Sequence, residues 1–136
     1  MTGIFLTVAL LIFVGPGASR CTCTPAPPEA QTRWGNEHIV SAGAIRVNTV
    51  RGTVLDAVDS RIPQALVEVF TRGKQPRRIV ACFTDSDGHF CLARLPAGSY
   101  ELRCSSKDFQ AVSQTIHVVR SRRVTGRVSV RLPVAT

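Results

Sequence analysis

Residues 82–91, Cys-Phe-Thr-Asp-Ser-Asp-Gly-His-Phe-Cys, place two carboxylates and a glycine between two short apolar runs. Asp side chains accept hydrogen bonds from nearby backbone N–H groups, and glycine supplies the positive φ that tight turns need. The stretch therefore predicts a β-hairpin with the loop Asp85–Gly88, in which Cys82 lies opposite Cys91. Opposed residues of an antiparallel pair have Cβ atoms about 4.5–5.5 Å apart, close to the roughly 3.5–4.5 Å of a disulfide. Cys82 and Cys91 are therefore the candidate disulfide.

Two other chemistries fit the same stretch less well. Ca²⁺ takes about six to eight oxygen ligands, and an EF-hand loop closes on a bidentate glutamate. Here His89, Phe90 and Cys91 follow the glycine, and the next glutamate is Glu101. Redox cysteines are typically spaced C-x-x-C beside a helix, whereas eight residues separate these two. A turn explains the stretch better than a calcium loop or a redox site.

Outward from this stretch, short runs rich in β-branched residues alternate between apolar and polar positions. They are separated by Gly, Pro, Asp and Ser, and no window has a persuasive helical period. The runs cover residues 45–54, 65–70, 79–83, 89–93, 100–104, 112–119 and 124–132. The pattern predicts an all-β, seven-stranded antiparallel sandwich in a domain of residues 39–136.

The N-terminus has a different character. Ile4 to Val14 is an uncharged apolar run of eleven residues, shorter than the roughly 20 that span a bilayer. Small residues follow it, so we predict a signal peptide of residues 1–19 and a secreted or cell-envelope protein; an uncleaved anchor is the alternative. Residues 20–38 form a Cys/Pro-rich arm whose prolines exclude helix, and Trp34 is expected to pack on the domain.

The chain has 17 Lys and Arg against 9 Asp and Glu, a net charge of +8. The basic residues are mostly scattered and are not interleaved with aromatic residues, which argues against nucleic-acid binding. An anionic partner such as an acidic polysaccharide, envelope lipid or acidic protein fits better, although solubility alone also explains the charge. Residues 72–78 hold four basic residues in seven, and the candidate binding loop is Arg72, Lys74, Arg77 and Arg78.

The five cysteines suit an oxidising compartment, and their odd number leaves at least one without a partner in the chain. Cys104 shares the phase of Tyr100 and Leu102, so it is either a buried free thiol or a partner of Cys21 or Cys23.

Four motifs occur in order with short gaps. They are Val50-x-Gly52-x-Val54, Pro63-x-Ala65-x-Val67-x-Val69, Thr84-Asp85-x-Asp87-Gly88-x-Phe90-x-Leu92 and Leu95-Pro96-Ala97-Gly98-x-Tyr100-x-Leu102. Over residues 45–132 this set resembles the carboxypeptidase regulatory-like domain, a prealbumin-like (transthyretin-like) seven-stranded β-sandwich. The resemblance implies a non-catalytic binding or scaffolding module with a carbohydrate-binding-like fold, and it makes Gly52 a residue that lets its strand bend. Cys82, Cys91 and Cys104 are not part of the family pattern.

The sequence contains no catalytic signature. His38, His89 and His117 lack metal-ligand spacing, so we predict no catalytic residue, no cofactor and no metal. The rival hypothesis is a secreted protease inhibitor, because Cys21-Thr22-Cys23 resembles the start of the tissue inhibitors of metalloproteinases, whose first cysteine chelates the protease zinc. In that family the chelating group includes the free α-amine of the first cysteine. Cleavage after Ser19 would leave Arg20 attached to the α-amine of Cys21, so this chelate could not form.

Overall fold

The computed structural model describes residues 24–27, 39–92, 95–124 and 126–135, and every regular element in these ranges is a β-strand. The all-β prediction is therefore confirmed. The predicted signal peptide and most of the predicted arm, including Trp34, lie outside the described residues. The described residues form nine strands: β1 Thr24–Pro25, β2 Val40–Val47, β3 Arg51–Leu55, β4 Leu66–Thr71, β5 Arg78–Phe83, β6 His89–Cys91, β7 Gly98–Ser105, β8 Val112–Val118 and β9 Val128–Arg131.

The strands form two sheets that share one core. One sheet has six strands in the order β1-β5-β4-β7-β8-β2, and the other has three in the order β6-β3-β9. Val69 and Leu102, which are paired across β4 and β7, are fully buried together with Val54 of β3. Phe90 and Val128 belong to the same buried cluster. The two sheets are therefore held together by the burial of alternating apolar side chains from both of them, as in other β-sandwiches.

The prediction of seven strands, all antiparallel, is wrong: the described part of the chain has nine strands, and two of the pairs are parallel. The run 45–54 is not one strand: β2 ends at Val47, β3 begins at Arg51, and the two lie in different sheets. The sequence contains the reason, since Val47 and Val50 are both buried but stand three residues apart, which a period of two does not allow within one strand. β2 pairs with β8, and β3 with β9, and both pairs are parallel.

The turn at 85–88 is confirmed, but the predicted hairpin is not. The Oδ1 atom of Asp85 accepts hydrogen bonds of 2.9 Å from the N–H groups of Asp87 and His89, and Gly88 has a φ of 71°. β5, however, pairs with β4 and β1, whereas β6 pairs with β3. The chain therefore passes from one sheet to the other at this turn, and the predicted register of Cys82 opposite Cys91 is wrong.

Gly52 allows a close approach between strands. A Cβ atom built on it would overlap the carbonyl oxygen of Val128 and lie 2.7 Å from its carbonyl carbon. The two residues are paired in the β3–β9 ladder. Only glycine fits at this contact, because the obstacle is the backbone of β9 and not a movable side chain.

Thr84 joins the turn to the preceding loop. Its buried hydroxyl donates to the carbonyl of Ile62 at 2.7 Å and accepts from the N–H of Ala65 at 2.8 Å. Its backbone N–H donates to the carbonyl of Ala65 at 2.9 Å. These bonds satisfy buried backbone groups where the chain enters β4.

Candidate binding surface

The candidate binding loop lies between β4 and β5 and is closed at its base. The N–H of Thr71 donates to the carbonyl of Arg77, and the N–H of Arg77 donates to the hydroxyl of Thr71, both at 2.9 Å. Arg72, Lys74 and Arg77 are exposed. Three of the four predicted cations thus stand on a short loop with a fixed base, where an anionic group can reach them.

Arg78 occupies a different environment from the other three. Its Nη1 atom lies 3.7 Å from Oε2 of Glu68, its Nη2 atom donates to the carbonyl of Pro27 at 3.3 Å, and its side chain is 19% exposed. Glu68 is almost completely buried. A buried carboxylate is costly without a charged partner, so Arg78 has a structural role that a ligand would have to disrupt.

Glu101, a carboxylate close to the loop, is compensated within the sheet. Glu101 accepts hydrogen bonds from Oγ of Ser113 at 2.6 Å and from Nη2 of Arg103 at 3.0 Å, and the Arg103 guanidinium stacks 4.6 Å from the centre of the Phe70 ring. Burial acts to raise the pKa of Glu101, but these hydrogen bonds and the charges of Arg103 and Arg72 together lower it below its ordinary value of 4.5. Glu101 is therefore ionised at neutral pH and already paired.

A second group of cations lies at the same end of the sandwich and was not predicted as part of a site. The connection from β8 to β9 carries four exposed arginines: Arg120, Arg122, Arg123 and Arg127. Its neighbour Val118 pairs with Gly98 at the start of β7, and Thr71 pairs with Tyr100 on the same strand. Both loops therefore leave the six-stranded sheet at one end. The adjacent arginines are visible in the sequence, but only the topology brings them to the side of the sandwich where residues 72–77 lie.

A shallow cleft of about 790 Å³ occurs at the opposite end. Its lining consists of Pro63, Gln64, Phe83, Thr84, Asp85 and Ser86. Gln64 has a φ of 55°, which is uncommon for a residue other than glycine, and it is held there by a hydrogen bond from its N–H to the carbonyl of Thr84. None of the predicted binding residues lies in this cleft.

The cysteines fall into two groups. Cys104 is buried and free, as one of its two predicted states required, and burial together with the charge of Glu68 raises its pKa to about 12. Neither Cys82 nor Cys91 is a free thiol. Cys82 lies in the core at 2% exposure and opposes Val67. Cys21 and Cys23, and with them the predicted inhibitory N-terminus, lie outside the described residues.

The histidines are hydrogen-bonded to hydroxyl groups. Nδ1 of His89 lies 3.1 Å from Oγ1 of Thr53, and Nδ1 of His117 lies 2.7 Å from Oγ of Ser99. The described residues contain no group of three His, Cys, Asp or Glu side chains that could hold a metal ion, and His38 is not among them. Within the same ranges no helix is long and apolar enough to cross a membrane.

Comparison with known proteins agrees with this fold. Residues 49–133 match the family model of the carboxypeptidase regulatory-like domain. The chain belongs to this family, and its two-sheet β-architecture fits the prealbumin-like class.

A curated relative is the TonB-dependent transporter Oar of Myxococcus xanthus, which is 34% identical over 92 residues. The match covers 68% of this chain but only 8% of the transporter. Among solved structures, the catechol 1,2-dioxygenase of Acinetobacter radioresistens aligns with a TM-score of 0.49 at 11% identity, over 74% of this chain and 60% of the enzyme. The catechol 1,2-dioxygenase of Pseudomonas arvilla C-1 aligns with a TM-score of 0.43 at 13% identity, over 74% and 59%.

Proposed function

We propose that the protein is an exported, non-catalytic β-sandwich module that binds an anionic partner through the loop between β4 and β5. The observation that carries the proposal is the exposure of Arg72, Lys74 and Arg77 on a loop closed by two hydrogen bonds between Thr71 and Arg77, one of them to the Thr71 hydroxyl. Binding residues are often found on loops that a rigid scaffold holds in place. The relative Oar is a TonB-dependent transporter, which supports a location in the cell envelope.

The chemistry of this loop favours recognition by charge. Residues 72–77 contain three cations, no carboxylate and no aromatic ring. Exposed cations increase the rate of association with anions, and salt weakens the contact because the charges are screened. An acidic polysaccharide, an anionic lipid surface or an acidic protein would each satisfy this loop.

A non-catalytic role is supported by the family and by the polar groups of the described residues. Each described histidine is bonded to a hydroxyl group, and Glu101 is paired with Arg103. The remaining described carboxylates serve turns or ion pairs in several cases, as Asp85 does in the turn after β5. A catalytic site would instead require several polar groups that converge on one reacting atom.

Export also suits the cysteines, and we propose that Cys82 and Cys91 are oxidised in the mature protein. The predicted bridge joins these two residues to each other, although they lie on strands of different sheets. Cys21 and Cys23 are the alternative partners, since β1 begins immediately after them and pairs with β5. Non-reducing peptide mapping of the exported protein would decide the matter. A peptide that joins residues 82 and 91 supports the predicted bridge, and free thiols at both positions would refute export into an oxidising compartment.

The binding proposal is tested on immobilised heparin, a sulfated polysaccharide, with salt elution as the readout. The variant Arg72→Gln/Lys74→Gln should elute at clearly lower salt than the wild type. The control Arg61→Gln/Lys107→Gln removes the same charge at two other exposed positions and should elute almost like the wild type. Equal shifts in the two variants would mean that net charge alone governs retention, which would refute a site at this loop.

A further inference from the structure

The charges of the described residues are sorted along the long axis of the sandwich. One end carries ten basic residues, here called the basic end: Arg46, Arg51, Arg72, Lys74, Arg77, Arg78, Arg120, Arg122, Arg123 and Arg127. The opposite end, here called the acidic end, carries Asp56, Asp59, Asp85, Asp87 and Asp108 together with Arg61, Lys107 and Arg131. The sequence alone does not indicate this separation, because residues from five different strands and loops contribute to the basic end.

The strand registers establish which residues share an end. In the six-stranded sheet, Arg46 pairs with His117 on β8, and His117 pairs with Ser99 at the start of β7. In the three-stranded sheet, Arg51 begins β3, and Gly52 pairs with Val128 directly after the β8–β9 connection. The loops at residues 48–50, 72–77, 95–97 and 119–127 consequently meet at the basic end.

The basic end has little internal compensation. Eight of its ten cations are exposed, and the exceptions are Arg51 and Arg78. The described residues of the four loops contain no Asp or Glu. The nearby carboxylate of Glu101 is already bonded to Arg103 and Ser113. A cluster of like charges that repel each other lowers the stability of the folded protein. An anionic ligand bound at the basic end would relieve this repulsion.

We propose that the whole basic end is one binding surface for an acidic polysaccharide that lies across the β4–β5 loop and the β8–β9 connection together. This inference rests on the proposed function and extends it, since it adds a second loop to the site and assigns the partner to one chemical class. The two loops emerge from strands two to three positions apart in the sheet, a separation of roughly 10–15 Å at the usual strand spacing. A ligand that contacts both must therefore be an extended polyanion, and a single anionic group is too small.

The described residues nearest to the two termini lie at the acidic end. Thr24 pairs with Phe83 near the acidic end, and the N–H of Ala135 donates to the carbonyl of Asp108 at that same end. The chain that precedes Thr24 therefore joins the sandwich close to the acidic end. The basic end is therefore the end of the sandwich away from Thr24.

A second copy of the chain fits the basic end less well. Several carboxylates of the acidic end are already engaged: Asp59 pairs with Arg131, and Asp56 accepts from the N–H groups of Val58 and Ser60. Asp85 is bonded in its own turn. Nucleic acid is also disfavoured, because the four loops contain no aromatic side chain among their described residues on which bases could stack.

The experiment measures the affinity of the full exported chain for short and long heparin fragments by titration. The variants are Arg72→Gln/Lys74→Gln in one loop and Arg120→Gln/Arg122→Gln in the other. The control is Arg61→Gln/Lys107→Gln, which removes equal charge at the acidic end. We expect each of the two loop variants to bind the long fragments about tenfold more weakly, equivalent to about 1.4 kcal/mol, and the control to change affinity less than about twofold. Short fragments should bind the wild type more weakly than long ones, since they reach one loop only.

The outcomes separate the inference from the function on which it rests. If only the Arg72→Gln/Lys74→Gln variant loses affinity, the proposed function stands and the two-loop surface is refuted. If no variant differs from the wild type, both are refuted. Stronger binding to anionic phosphatidylglycerol vesicles or to duplex DNA than to heparin would overturn the choice of a polysaccharide. So would self-association, seen by sedimentation, that the loop variants abolish.

Discussion

Replacement of Gly52 by alanine tests the parallel pairing of β3 with β9, the part of the fold that the sequence indicates least directly. The added methyl would overlap the carbonyl oxygen of Val128 and lie 2.7 Å from the carbonyl carbon. Normal contacts between such atoms begin at about 3.4 Å or more, so β9 must move away from β3. Because Val128 and Val130 are almost fully buried, this movement also disturbs the core.

The cost follows from two contributions. Overpacking in a well-packed region costs about 1–3 kcal/mol, and each ladder hydrogen bond that lengthens or breaks adds about 0.5–1.5 kcal/mol. With one or two bonds affected, Gly52→Ala should lower the free energy of unfolding by about 4 kcal/mol. A small domain has only about 5–15 kcal/mol in total, so the variant should be near the limit of folding.

Urea unfolding monitored by circular dichroism measures this loss. With a slope of about 2 kcal/mol per M, the midpoint should fall by about 2 M. The matched control is Gly43→Ala on β2, where an added Cβ meets nothing within 4 Å, and its midpoint should change by less than about 0.5 M. If the two variants unfold at similar urea concentrations, the close contact between β3 and β9 does not exist and the register is wrong.

Three further predictions concern single side chains. Thr84→Val removes the hydroxyl that is hydrogen-bonded to Ile62 and Ala65 and should lower the free energy of unfolding in urea by about 2–3 kcal/mol. Thr84→Ser keeps the hydroxyl and should lower it by about 1 kcal/mol; equal losses would refute the role of the hydroxyl. Because the pKa of Glu101 is lowered in the folded protein, its ionised carboxylate stabilises the fold at pH values above the ordinary pKa of 4.5. The wild type should therefore be more stable than Glu101→Gln above pH 4.5, and this difference in the free energy of unfolding should shrink only as the pH falls below 4.5. Cys104, buried and with a pKa of about 12, should resist iodoacetamide at neutral pH until the protein is unfolded; rapid labelling of the native protein, followed by mass spectrometry, would contradict its burial.

Much of the sandwich could be predicted because its strands are half-buried. Alternation in β7 and β8 corresponds to the observed burial, with Leu102, Cys104, Val112 and Ile116 inward. The turn at residues 85–88 could also be predicted, because an Asp side chain caps backbone N–H groups and glycine adopts a positive φ. The pairing partners were not, because a period of two indicates which face a residue occupies but not which strand lies beside it. The parallel pairs and the separation of β5 from β6 were missed for this reason.

The candidate site was predictable only where its residues are adjacent in sequence. Arg72, Lys74 and Arg77 could be assigned to an exposed loop from composition alone. The role of Arg78 could not, because it depends on Glu68, a residue of the neighbouring strand β4. Arg120 and the other cations of the β8–β9 connection are more than 40 residues away, and only the sheet topology places them at the same end.

The two parallel pairs have a consequence for how fast the protein reaches its native state. Val40 pairs with Val112, and Gly52 pairs with Val128, so each pair closes a chain loop of more than 70 residues. Loops of that length must lose entropy before their contacts form, and proteins dominated by such distant contacts fold in milliseconds to seconds. The β4–β5 hairpin and the β7–β8 pair bring together nearer segments and are expected to form first. The edges of β8 and β3, with which β2 and β9 pair, would then remain unpaired for longest during folding. An incompletely folded chain is therefore most prone to aggregate at these two edges.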